Sequence, residues 1–159
     1  MITPPNWQSL ASGVIVLARP VALWTRAVDY VAGPRKLKIV ADPASNWMLS
    51  AGNLPGPDGD PAQTQNNTAP PLLPSALIGA LICKIGGSAA DNTAPVLTAG
   101  GTAPVAPSGI PIPFSIGSFC IVELLATQQK GPLFLTMNDA PAAFSQHAGQ
   151  LIVDIFEAL

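Results

Sequence analysis

Apolar and polar positions alternate with a period of two in several short stretches of the chain, the repeat of a strand with one buried face. Residues 36–41, Lys-Leu-Lys-Ile-Val-Ala, put Leu37, Ile39 and Ala41 on one side and both lysines in water. Residues 13–18, Gly-Val-Ile-Val-Leu-Ala, form a β-branched run suited to a strand. Residues 24–31 place Trp24, Arg26, Val28 and Tyr30 on one face and Thr25, Ala27, Asp29 and Val31 on the other, and Gly33-Pro34 then signals a turn. Residues 76–85 are almost wholly apolar, the pattern of a central strand covered on both sides. Gly79, Pro74 and the Gly86-Gly87 pair favour strand over helix there. Three strands close the chain: 119–125 and 132–137, joined by a hairpin-like link over 126–131, and 150–156 after the irregular stretch 138–149.

Two connections, 42–75 and 88–113, are rich in Pro, Gly, Asn, Asp and Ser. Both are far longer than an ordinary link, and such loops are usually functional or disordered. Six or seven short strands without a convincing amphipathic helix predict an all-β sandwich. At 159 residues the chain reads as one domain, 1–159, with 1–11 as an N-terminal extension.

Composition changes this picture in one respect. Hydrophobic residues make up 48% of the chain, but charged ones only 10%, against roughly 25% in a typical soluble domain. No charged side chain occurs between Asp60 and Lys84, or between Asp91 and Glu123. A surface that omits Lys and Glu is expected to be covered by association, so a homo-oligomer or a place in a larger assembly is expected. A net charge of −2 with seven basic residues argues against nucleic acid as the partner. The most apolar stretch, 70–83, carries three prolines and is too short to span a bilayer, which takes about 20 residues. The N-terminal residues lack a basic segment followed by an apolar run, so no signal peptide is read and the expected location is cytoplasmic, or outside the cell by a non-classical route. Cys83 and Cys120 lie in apolar runs and read as buried free thiols or as a single bridge.

Candidate chemistry is sparse. His147 is the single histidine, and no Gly-x-Ser-x-Gly elbow, Walker-type phosphate loop or His-Glu-x-x-His helix occurs, so no enzyme is expected. Two cysteines and one histidine do not make a structural zinc site. Asp58 and Asp60, in Gly-Pro-Asp-Gly-Asp, are either a calcium or sugar contact or simply turn formers. Asn138, Asp139, Ser145, Gln146 and His147 gather amides, a carboxylate and backbone carbonyls in one stretch. Calcium prefers such hard oxygen donors, six to eight of them, although the same stretch also reads as structural.

Several segments, taken in order, resemble one family. Residues 77–86, Leu-Ile-Gly-Ala-Leu-Ile-Cys-Lys-Ile-Gly, resemble the "GAL…KIG" strand of the PA-IL-like (LecA-type) galactophilic lectins and of related galactose-binding-like bacterial modules. Residues 131–141, Gly-Pro-Leu-Phe-Leu-Thr-Met-Asn-Asp-Ala-Pro, resemble their "G.L.L..ND.P" segment, and 148–155 their closing strand. Lys38-Ile39-Val40-Ala41 and the 56–60 loop occur upstream in the family's order, so the resemblance runs from about residue 12 to 156.

The resemblance implies a jelly-roll-like β-sandwich that assembles into oligomers and binds a glycan, galactose-type, through calcium. It assigns metal contacts to Asp139, Gln146, Asn138 and the backbone of Ala143, and sugar contacts to Asp139, Gln146, Asn66 and Asn67. Gln146 and His147 replace the family's pair of asparagines, and a neutral imidazole is a poor ligand for a hard cation. Two readings follow: a lectin-like carbohydrate-binding module, or a self-assembling structural subunit that keeps the fold and has lost the sugar site.

Overall fold

A computed structural model describes residues 3–63, 69–96, 105 and 107–159. Nine strands and one short 3-10 helix follow in chain order among them: β1 (Trp7–Leu17), β2 (Thr25–Ala32), β3 (Arg35–Ala41), β4 (Asn46–Met48), β5 (Leu81–Ile85), β6 (Phe114–Ser115), β7 (Phe119–Leu124), β8 (Lys130–Met137), the helix (Pro141–Gln146) and β9 (Ala148–Ala158). The first sheet runs β1-β9-β3-β7, with β4 also on β9; the second runs β2-β8-β5-β6. Every strand pair is antiparallel. The expected all-β sandwich is the architecture found.

Between the sheets, Leu37 and Ile39 of β3 and Leu151, Val153 and Ile155 of β9 are buried, as the period-two pattern predicts. They meet Leu81 and Cys83 of β5 and Leu133, Leu135 and Met137 of β8. Each such side chain removed from water stabilises the fold by about 1.5–3 kcal/mol.

β5 is covered on both faces, as its apolar run predicts. On its outer face Lys84 is fully buried, which the sequence pattern did not single out. Its Nζ lies 4.8 Å from the Trp24 ring and 5.2 Å from the Phe134 ring. It donates to the Ser88 carbonyl at 2.7 Å and faces Asp91 Oδ2 at 3.4 Å. Trp24 Nε1 donates to the Asp91 carbonyl, so ring and loop close over the ammonium together.

Four expectations change. Residues 7–11 are not an extension: Trp7 to Ala11 pair with β9, whose length offers them an edge, and the ladder shifts register around Gly13. Gly13, at φ +64, donates its N–H to Asp154 Oδ1 at 2.7 Å in that irregular stretch. The strand expected over 76–85 begins only at Leu81, because Gly79 turns the chain at φ +81 and Asn138 captures the carbonyls of Ala76 and Leu77. In β2 the register shifts twice against β8, so Trp24 and Val31 are both buried although strict alternation puts them on opposite faces. Finally, the 42–75 and 88–113 segments are not simple loops. The first contains β4, where buried Trp47 donates its Nε1 to the Gly79 carbonyl at 2.8 Å, and in the described part of the second Val96 bridges Val105.

Candidate functional site

The stretch between β8 and β9 is built around Asn138 and Asp139. Asn138 is fully buried, and its carboxamide is committed to the 72–80 segment. Its Oδ1 accepts the Leu73 N–H at 2.8 Å, while Nδ2 donates to the carbonyls of Leu73, Ala76 and Leu77. Its own carbonyl accepts the Gly79 N–H at 2.8 Å, and that of Asp139 accepts the Leu72 N–H at 3.1 Å. The pair therefore staples a long connection to the end of β8.

Asp139 is equally engaged. Oδ1 accepts the Ala140 N–H at 2.7 Å, and Oδ2 lies 2.9 Å from Nε2 of His147. His147 is buried, with its other ring nitrogen 3.2 Å from the Ala18 carbonyl and its ring 5.0 Å from that of Phe144. Pro141 opens the 3-10 helix that returns the chain, and Ala143 donates its N–H to the Ala140 carbonyl at 2.9 Å inside it. Gln146 ends the helix with its side chain exposed, and no hydrogen bond joins it to Asp139. Asn66 and Asn67 lie outside the described residues.

Of the oxygens expected to hold calcium, Asp139 Oδ1 and Oδ2 each face one protein partner, Asn138 Oδ1 is held by Leu73, and Gln146 is exposed. Among the described residues no group of three or more His, Cys, Asp or Glu side chains gathers to hold a metal. The imidazole of His147, not Gln146, stands against the Asp139 carboxylate. Sequence reasoning had placed His147 only as a replaced ligand. The signal that could have found its role was the need of a lone, sequestered histidine for a polar partner.

The 56–60 segment resolves to a structural turn. Asp58 Oδ1 accepts the Ser118 N–H at 2.7 Å, tying this segment to the crossing between β6 and β7. Asp60 accepts the Ala62 N–H and the Asn53 amide, each at 2.9 Å. The Ala62 N–H, followed by the Asn53 amide, holds the Asp60 carboxyl below its ordinary value. Cys83 and Cys120 are both free, and burial pushes the Cys83 thiol well above its ordinary range.

No family model matches the chain, and no curated protein matches it. A comparison of solved structures finds a similar fold in a chain described as the EclA N-terminal domain, a PllA-like lectin. The likeness has a TM-score of 0.56 at 15% sequence identity, and covers 94% of this chain and 98% of that one. The whole described sandwich, and not a fragment of it, therefore follows the arrangement of a lectin domain.

Proposed function

We propose that this protein is a lectin-like carbohydrate-binding module that acts without catalysis. The observation that supports the reading is the likeness to a lectin domain across nearly the full length of both chains. The resemblance of its ordered segments to galactophilic lectins makes galactosides the first ligands to test. Because Asp139 is satisfied by His147 and Ala140, the proposed binding does not run through calcium at the β8–β9 connection. Isothermal titration with methyl galactosides and a glycan array, each with calcium and with chelator, tests the reading. Binding that is equal in both conditions supports it, and the absence of any glycan binding overturns it.

A second reading, a self-assembling subunit, is favoured by the outward face of the first sheet. Ile15 stands opposite Ile152, and Val40 opposite Phe119, so these residues share a face with Leu17 and Ile121. Ile15, Phe119 and Ile121 are 50%, 57% and 44% exposed. An antiparallel sheet facing water normally carries polar residues there, whereas here these apolar side chains share the face with Lys38, Glu123 and Asp154. The occupant proposed is a second copy of this chain. Sedimentation of the native protein beside Ile121→Lys tests it: a native oligomer dissociated by the lysine is expected, and a native monomer overturns this reading.

A further inference from the structure

A concavity of about 630 Å³ lies away from the β8–β9 connection. It lies on the flank where the last strands of the two sheets, β6 and β7, follow one another in the chain. The crossing at 116–118 pins the sheets together: Ile116 and Gly117 donate to the Leu81 carbonyl, Ser118 donates to Asp58, and Ala41 donates to the Ser118 carbonyl. Away from that pin, at the far ends of β5 and β7, the flank carries the groove. Its volume falls within the range of about 300–1,000 Å³ usual for small-molecule sites.

The lining separates by chemistry. Ile85, Phe114 and Val122 contribute apolar lining with one aromatic ring, and Glu123, Gln129 and Lys130 contribute polar lining. Gln129 is fixed: its Oε1 accepts the N–H groups of Leu125 at 2.7 Å and Ala126 at 3.3 Å, which leaves its amide hydrogens to donate. Lys130 supplies further donors, and Glu123, 3.4 Å from Lys36, supplies an acceptor. A pyranose has the matching division, with hydroxyls that both donate and accept around an apolar C–H face.

We infer that this groove is the saccharide site, taking one neutral hexopyranose with its apolar face toward Phe114 and its hydroxyls toward Glu123, Gln129 and Lys130. The inference rests on the glycan-binding reading above and gives it a location. Titration of the isotope-labelled protein with methyl glycosides of galactose, glucose, mannose and N-acetylglucosamine, each followed by amide chemical shifts, tests it. At least one glycoside is expected to move amides of 85–87, 122–124 and 128–130. Glu123→Ala and Lys130→Ala, both at exposed positions, are each expected to weaken that binding about tenfold, and Gln8→Ala, exposed on β1 at the other edge of the first sheet, to leave it unchanged. Shifts confined to 139–147, or binding untouched by both Glu123→Ala and Lys130→Ala, overturn the groove while the lectin-like reading stands. If no glycoside moves any amide, both fall.

Discussion

His147 Nε2 lies 2.9 Å from Asp139 Oδ2, joining the start of the β8–β9 connection to its end. The other ring nitrogen faces the Ala18 carbonyl, so each ring nitrogen has an oxygen partner. The contact fixes both ends of the 3-10 helix and satisfies a carboxylate that the sequence had offered to a metal. Removing His147 leaves Asp139 Oδ2 without its partner. His147→Leu is expected to lower stability by about 1–3 kcal/mol in urea unfolding, and Asp139→Asn by less, since its amide still bonds.

Calcium is expected to leave the thermal midpoint where a chelator leaves it. A ligand bound only by the folded chain must raise that midpoint. The oxygens of Asp139 and Asn138 are occupied by protein donors, so no such rise is expected. Scanning calorimetry in excess calcium and in chelator checks this directly, and a shift of several degrees would falsify it.

Lys84 and Asp91 make the fold sensitive to pH in the same direction, each adding stability as pH rises through its own range. Burial lowers the Lys84 ammonium from its ordinary 10.5, against the pull of Asp91. Above its folded value the folded chain binds fewer protons there than the unfolded one, so stability gains as pH rises toward 10.5. The Ser88 N–H, then its hydroxyl and Lys84, hold Asp91 below 3.8. That contribution is present above 3.8 and lost as pH falls through the folded value. Urea midpoints are expected to drop as pH falls below 3.8, less steeply in Asp91→Asn. Asp91→Ala is expected to cost about 2–3 kcal/mol at neutral pH, and Lys84→Met less, because the apolar chain needs no counter-charge.

Asn138 is expected to be among the most sensitive positions to truncation. Asn138→Ala strands the Leu73 N–H and removes the amide donor shared by the carbonyls of Leu73, Ala76 and Leu77, so a loss of about 2–3 kcal/mol is expected from urea unfolding. Asn138→Asp is expected to fare no better, since it removes the donors and buries a charge.

Gly87 closes one wall of the flank groove at φ +74, where a Cβ would collide with Asp91 Oδ2. Gly87→Ala combines left-handed strain with a displaced Asp91, and a loss of at least about 1–2 kcal/mol is expected by thermal unfolding.

The strands with clean alternation were legible because period two reports which face is buried without reference to any partner. Lys36–Ala41 and the last strand show this, as does the apolar run ending at Ile85. Trp7–Ala11 was not, because its pairing depends on β9 about 150 residues away. β4 and β6, of three and two residues, are too short to carry a period. The candidate site was legible as a cluster of polar residue types, but not as an arrangement. Spacing put Asp139 and Gln146 on one connection, and the helix between them leaves Gln146 exposed while His147 turns inward.

By itself, then, the sequence determined the class of the fold, since local periodicity and the absence of an amphipathic helix leave a sandwich as the way to bury these faces. Only the tertiary structure decided which polar atoms were already spoken for. Asn138 is bonded to residues 61–65 positions away, and Lys84 lies close to the rings of Trp24, just before β2, and Phe134 of β8. The groove between β5 and β7 likewise exists only where two sheet edges part. A hydrogen bond or a cavity is a relation between distant segments, and such relations leave no mark in the order of residues along either one.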